Sequence, residues 1–396
     1  MEGQKKNVLL LACCQALLLT NAVTLISIGA LAGYALAEDK RLATLPQAAY
    51  VVGALLGTMP ASMWMRRVGR RNGFLTGGLF ALAGSTIATY AMVASSLALL
   101  CVGTVLLGVY NAFGQYYRFA AADASHKDFK ARAISYVLAG GLVGGIVGPE
   151  ISKFTRGIAH PTYTASYASL FLFALLAMAI VSRLRIPSAH DTVAHGPARP
   201  LREIASQPVF FVAAGVAALG YGTMNLLMTA TPLAMGFCGL GYDASATVIS
   251  SHVVAMFAPS FFTGHLIKRF GVLQVMTAGV ACMLGCIGVA LSGQMLTHFW
   301  WALVLLGIGW NFMYIGGTTL LTEAYRPAEK AKAQGVNEIT VFAVQAVSAF
   351  SSGVLVNTEG WRTLNFVALP LVVVAGLAIA WLAAGIRRPK TASGAS

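Results

Sequence analysis

Polar residues are scarce along this chain, and they come at intervals. Between them lie runs of mostly apolar residues long enough to cross a bilayer as helices, which takes about 20 residues. Twelve runs qualify: 8–36, 44–65, 73–93, 97–119, 133–152, 164–185, 208–233, 244–266, 271–292, 298–322, 336–357 and 362–386. Only a few polar residues part the third from the fourth and the ninth from the tenth. Eleven crossings is therefore the neighbouring count, but the run lengths fit twelve better. The first run follows Lys5 and Lys6 and leads into Ala35-Leu36-Ala37, as a signal peptide does. It is longer than the 7–15 apolar residues of a signal core, so it reads as an uncleaved span.

Composition agrees. Of the 396 residues, 57% are hydrophobic and 10% charged, against about 25% charged in soluble domains. Such a chain covers its surface with lipid rather than water. The net charge of +14 does not point to nucleic acid, because the basic residues form short clusters between apolar runs and no stripe. Those clusters fix the orientation, since lysine and arginine gather on the cytoplasmic side. With both termini inside, Lys40, Arg41, Lys153, Arg156 and Arg362 face out, and the rest of the 27 basic residues face in. Six cysteines suggest no disulfide framework. Cys282 and Cys286 share a helix face without a histidine or acid beside them, which reads as core packing, not a metal site. The longest polar stretch, 182–208, reads as a linker. It divides the chain into 1–185, a linker at 186–207, and 208–396.

The two parts repeat each other. Arg67 and Gly69 recur as Arg269 and Gly271; Asn111 recurs as Asn311, and Asp123 as Glu323. Lys130-Ala131-Arg132-Ala133 recurs as Lys330-Ala331-Lys332-Ala333, and Asn21 in the first span matches Asn225 in the seventh. The offsets stay between 200 and 204 over five elements. The expected fold is an all-α membrane protein of 12 transmembrane helices in two pseudo-symmetric six-helix bundles. Repeats of this kind belong to secondary transporters, which hold their solute between the halves near the bilayer midplane.

Twelve spans as six plus six, a central loop and the basic turn resemble the major facilitator superfamily, over nearly the whole chain. That family's turn reads G-x-x-x-D-R-x-G-R-R. The first copy keeps Arg67, Gly69, Arg70 and Arg71, with Ser62 and Arg66 in place of the first glycine and the acid. The second keeps Gly264, Arg269 and Gly271 and puts Lys268 where the acid belongs. In the family the acid locks the inner gate, so these residues are expected to form turn and gate without that lock. The run GGLVGGIVGPE resembles part of the antiporter motif through Gly144, Gly148 and Pro149, but Ser152 and Lys153 replace its later glycine pair. Thr104 stands where the family often has an arginine. Stretches 228–235, 252–264 and 331–342 resemble a bacterial subgroup, which implies the bacterial inner membrane.

An ionisable residue inside a span is costly and marks function by default. Three are candidates for proton coupling. Glu150 can take up a proton at the outer mouth, or pair with Lys153 or Arg156. His252 can titrate near neutral pH, or make a helix contact near the outer gate. Glu338 can carry the proton, or sit in its helix's favourable first turn and pair with Lys268 or Arg269. Arg118 can bind a polar substrate group, or snorkel to the cytoplasm and pair with Asp123 or another gate acid. The resemblance places spans one, four, seven and ten around the cavity. Its lining candidates are Asn21, Thr24, Asn111, Gln115, Arg118, Tyr221, Asn225, Trp310, Asn311 and Tyr314, with Gln345 from span eleven. Aromatic rings beside amides suit a planar or amphipathic organic solute; each residue alone can equally be a helix contact.

The expected function is secondary active transport of a small organic solute by alternating access. Without a nucleotide-binding domain the drive is an ion gradient; His252, Glu150 and Glu338 favour protons over sodium, and a facilitator without coupling is the other case. The partial glycine–proline motif leans towards export by antiport. The alternative is proton-coupled uptake of a small nutrient such as a vitamin, riboflavin being one activity known near this part of the family. More distant are a non-transporting receptor and an intramembrane enzyme, for which H-E-x-x-H, G-x-S-x-G and a P-loop are missing. The expected partners are the solute, protons and the lipid bilayer, with no cofactor and the chain a monomer.

Overall fold

Gly69 and Gly271, the paired glycines of the repeated turn, hold nearly the same backbone conformation: φ 85°, ψ 162° and φ 93°, ψ 154°. Side chains are strained there and glycine is not, so each basic turn reverses the chain within one residue. The computed structural model describes residues 2–125, 130–186, 199–326 and 329–387. Among these the helices are α1 (Glu2–Leu36), α2 (Leu45–Val93), α3 (Leu97–Gly114), α4 (Tyr117–Asp123), α5 (Lys130–Thr155), α6 (Thr164–Val181), α7 (Leu201–Ala205), α8 (Pro208–Phe237), α9 (Tyr242–Phe257), α10 (Ser260–Phe270), α11 (Val272–Ser292), α12 (Leu296–Leu321), α13 (Lys330–Thr358) and α14 (Gly360–Arg387). Residues 187–198 of the expected linker lie outside the described residues, as do Lys127, Arg388 and Lys390.

Among the described residues nine helices are long and apolar enough to cross a membrane, or ten if α9 and α10, bent by 42°, form one span. Two expected runs, 44–65 and 73–93, join in the 54-residue stretch Lys40–Val93, which turns at Gly69. The expected run 97–119 is interrupted between α3 and α4, which leaves Arg118 on a short helix of its own. The break in 244–266 falls at Pro259, which has no amide hydrogen for the helix ladder. Large side chains such as Leu56, Met59, Phe154, Leu172, Phe211, Leu377 and Trp381 are exposed on many helices. That much apolar surface is stable only against lipid.

Buried apolar residues form two large clusters. One runs from Val8 to Leu184; the other, apart from Ala30 and Ala43, runs from Ile204 to Leu382. Inside each, helices cross at a glycine. A Cβ on Gly108 would collide with the carbonyl of Tyr50, and one on Gly307 would lie 2.7 Å from the carbonyl of His252. Tyr50 and His252 are repeat counterparts, so the α2–α3 and α9–α12 crossings are one contact built twice. Without a side chain the backbones come close enough for dense packing, the main source of helix association in lipid.

The clusters also touch each other, where α2 meets α13, α5 meets α9 and α1 meets α8. Among the described residues, the hydrogen bonds and ion pairs joining them gather towards one end, remote from the termini, with one long bond further in, from the Ser250 hydroxyl to the Gly145 carbonyl (3.5 Å). Thr44 Oγ1 accepts from the Gly353 amide (3.0 Å) and donates to the Phe350 carbonyl (3.3 Å). Tyr242 donates its hydroxyl to Ser152 (2.6 Å), Lys153 donates to Thr247 (3.1 Å), and Arg156 lies 3.5 Å from Asp243. The chain is therefore fastened at this distal side.

At the opposite side, bearing the termini, Arg199 at the end of the linker grips the base of α13. Its Nε and Nη2 each lie 2.8 Å from a Glu329 carboxylate oxygen, and the amides of Arg199 and Arg326 donate to the same carboxylate (2.9 Å each). Nη2 and Gln207 Nε2 both donate to the Ala324 carbonyl, at 3.1 and 2.8 Å. The Glu329 side chain is closed off from solvent (0% exposed). The Arg199 side-chain bonds, then the Arg326 amide, hold its carboxyl well below the usual carboxylate range.

Two outcomes test this packing. Gly108→Val should abolish a monodisperse peak in detergent, whereas Gly215→Val, with nothing within 4 Å of its added Cβ, should leave it intact; equal behaviour of the two would refute the crossing. A carboxylate with a depressed pKa stabilises the fold fully above its unfolded value, about 4.3, and less as pH falls towards the folded value. Glu329→Gln should therefore lower the apparent melting temperature at pH 7. It should also make that temperature fall less than the wild type's between about pH 6 and about pH 3. Parallel curves would mean that the ion pair does not stabilise the fold.

Candidate functional site

Three rings expected at the cavity do meet. Trp310 and Tyr314, one turn apart on α12, stack with centroids 5.1 Å apart and planes at 11°. Tyr221 on α8 stands edge-on to both, at 88° and 5.1 Å to Trp310 and 89° and 5.3 Å to Tyr314. Phe257 at the end of α9 adds an edge contact to Trp310 at 6.0 Å. Perpendicular rings hold each other through edge-to-face attraction, so Tyr221 fixes the stacked pair. Trp310 is buried, and its indole N–H has no partner.

Charge stands beside these rings. Arg118 and Glu338 are within electrostatic reach of each other and of both Tyr221 and Tyr314. Glu338 accepts a 3.4 Å bond from Asn337. Arg118 packs its guanidinium 5.0 Å from the Phe119 ring, and its Nε is buried without a partner. Glu338 was expected to pair with Lys268 or Arg269. Both of these are exposed, and among the described residues neither makes an ion pair; the cation near Glu338 is Arg118 instead. Asp123, the other acid expected to meet Arg118, has its side chain outside the described residues. Arg67 and Arg71 are exposed, and Arg70 lies 5.6 Å from the Tyr116 ring.

On the other half, Asn21 lines a small niche with Leu18, Ala22, Leu25, Tyr50, Leu107 and Tyr110. Asn21 is 4% exposed, and neither its amide nitrogen nor its oxygen has a partner. The Tyr110 hydroxyl is also buried and unpartnered, Tyr117 being near but outside hydrogen-bond geometry. Tyr50 is within electrostatic reach of Tyr221, which connects the niche to the rings. Tyr50 and Tyr110 were not among the expected lining residues. A tyrosine in an apolar run carries no sign of its orientation, and only the repeat linking Tyr50 to His252 drew notice to it.

Most of the other expected lining residues make bonds to neighbouring groups. Asn311 is fully buried: it donates 2.7 Å bonds to the Met256 carbonyl and the Ser260 hydroxyl and accepts a 2.7 Å bond from Thr263. It braces the bend between α9 and α10 and does not face a cavity. Thr24 donates to the Gly148 carbonyl (3.0 Å), binding α1 to α5. Asn225 donates to the Gln345 carbonyl (2.8 Å) and accepts from Thr229 (3.4 Å), while the Gln345 amide nitrogen is left buried and unpartnered. Asn111 accepts from Gln115 one turn on (3.3 Å).

Two of the three proton candidates lie apart from the rings. Glu150 is 59% exposed and 2.6 Å from Lys153 on its own helix, beside the distal fastening. His252 is fully buried; its Nδ1 makes a 2.7 Å bond with the Leu303 carbonyl, and its Nε2 has no partner. The glycines of the antiporter-like run are taken up by packing. A Cβ on Gly144 would run into the Ala16 carbonyl, and one on Gly148 would lie 3.0 Å from Thr20 and Val23. The Arg199–Glu329 pair went unforeseen, because nothing in the sequence ties a linker arginine to an acid about 130 residues on.

Known proteins agree with this architecture. The family model described as Major Facilitator Superfamily matches residues 8–342 and 221–396. A protein of Brucella anthropi named riboflavin transporter RfnT is 40% identical over 93% of this chain and 94% of its own. An uncharacterised transporter of the same superfamily type from Bacillus subtilis, YddS, is 28% identical over 86% of this chain and 82% of its own. Among solved structures, a bacterial homologue of the human lysosomal transporter Spinster superposes over 98% of this chain and 99% of its own, with a TM-score of 0.69 at 14% identity. The chain thus belongs to the Major Facilitator Superfamily and is a multi-pass membrane transporter.

Proposed function

We propose that this protein takes up riboflavin, or a flavin close to it, across the bacterial inner membrane by proton-coupled alternating access. The observation that carries the reading is the ring set Tyr221, Trp310 and Tyr314, which offers aromatic faces and edges beside an amide niche. A flattened heterocycle with polar edges suits such a wall, since stacking takes the ring body and buried polar groups take its edges. The RfnT relative, alike over nearly its whole length, supports the same solute. Gly144 and Gly148 pack against α1, which export and uptake have in common.

In this reading twelve spans form two six-helix bundles, divided near 186–207. Span two ends and span three begins at Gly69, and α9 and α10 together make span eight. The skew of lysine and arginine puts both termini in the cytoplasm. A molecule fastened on the distal side then presents its site to the cytoplasm, the end point of uptake. Glu338 is the coupling group. It sits beside Arg118 and the rings, so loss or gain of its proton alters the charge at the solute's own position. The solute and the proton are the partners; the chain works as a monomer.

Purified protein should quench riboflavin fluorescence on binding, and cells that cannot make riboflavin should grow on less of it when they express this chain. Trp310→Ala should weaken binding roughly two- to tenfold, the scale of about 0.5–1.5 kcal/mol for one aromatic pair. Absence of any flavin binding by the wild type would end the reading. Glu338→Gln should keep riboflavin binding but lose the stimulation of uptake by an inward proton gradient. Retained stimulation would remove Glu338 from coupling.

A further inference from the structure

The niche around Asn21 contains the largest set of idle polar atoms beside the rings. Both amide atoms of Asn21 and the hydroxyl of Tyr110 are buried without partners. An unpaired buried polar group costs about 1–3 kcal/mol, so three together are retained only if something meets them. Packing does not require the asparagine's freedom: its repeat counterpart Asn225 is bonded to Gln345 and Thr229. The space among the lining residues is about 10 Å³, enough for a group about the size of one water. What reaches Asn21 is therefore the edge of a ring, one carbonyl or N–H deep, and not its body.

The chemistry of that edge follows from the donors and acceptors. Asn21 presents an Nδ2–H donor side by side with its Oδ1 acceptor, and the Tyr110 hydroxyl can donate beside them. The complement is an acceptor–donor–acceptor edge, that is, an imide: an N–H flanked by two carbonyls. We propose that Asn21 determines specificity by reading a ring imide, its Oδ1 accepting from the imide N–H and its Nδ2 donating to one flanking carbonyl, with Tyr110 donating to the other. This rests on the flavin reading above and deepens it, since a flavin carries one imide edge, on the ring end remote from its dimethylbenzene. The dimethylbenzene end then lies towards Tyr221, Trp310 and Tyr314.

The test compares riboflavin with its N3-methyl derivative, which keeps both carbonyls and removes the imide N–H. Both are titrated by fluorescence quenching into the purified full chain. The wild type should prefer riboflavin on the order of tenfold or more, the scale of one buried acceptor left unpaired. Asn21→Leu, close in volume and apolar, should bind riboflavin more weakly and bind both flavins alike. Asn21→Asp, which keeps an acceptor and loses the donor, should retain a preference for riboflavin and guards against misfolding of the leucine variant. Equal binding of the two flavins by the wild type, or an undiminished preference in Asn21→Leu, overturns the assignment while leaving the flavin reading intact. No binding of either flavin by the wild type overturns that reading and this assignment with it.

Discussion

Close backbone contact at helix crossings is the constraint on which the rest of this molecule depends. In lipid there is no water to expel from between helices, so association comes from packing and from bonds between backbone and side chain. Gly108 against Tyr50 and Gly307 against His252 give both halves the same tight crossing. Once those crossings exist, the faces of α3 and α12 are set, and with them the direction in which Tyr110 and Trp310 point. The site is thus a product of where glycine is, as much as of where the aromatic rings are.

The sequence repeat pairs Asn21 with Asn225 and Asn111 with Asn311, and the members of each pair do different things. Asn225 and Asn311 spend their amides on neighbouring helices, while Asn21 bonds to nothing and Asn111 only to its own helix. The aromatic set has no such partner arrangement in the first half: Tyr221, Trp310 and Tyr314 all belong to the second. The stacked rings therefore stand on one side and the wholly unbonded amide of Asn21 on the other. Symmetry of fold and asymmetry of chemistry coexist because the crossings need only glycines, which leaves the polar positions free to diverge.

That the chain is helical and apolar enough to cross a membrane many times was legible in the sequence, since hydropathy is a one-dimensional signal. The glycine turns were legible too, because a conformation reserved to glycine writes itself into the chain. Contacts at the site were less so. Tyr221, Trp310 and Tyr314 were named as lining residues through the family resemblance, which places spans seven and ten at the cavity; that they meet as one ring set comes from the structure. The roles of Asn311 and Thr24 were not, because an amide or a hydroxyl in an apolar run can equally face a cavity or a neighbouring carbonyl. The choice between Arg118 and the turn's basic residues as the neighbour of Glu338 depends on a contact between halves, which no local pattern encodes. Glu329 was invisible for a similar reason: its burial comes from a linker arginine folding back upon it.

The distal fastening carries a consequence for energetics. Its members are mostly hydroxyls, one backbone amide, one lysine, and one ion pair whose acid, Asp243, is largely exposed. Exposed pairs of this sort contribute about 0–1 kcal/mol each, and a neutral bond about 0.5–1.5 kcal/mol net. Water can take over nearly every one of them when the seam parts. Parting the seam therefore costs little in polar bonding, and the packing of α2 on α13, α5 on α9 and α1 on α8 is what chiefly holds it.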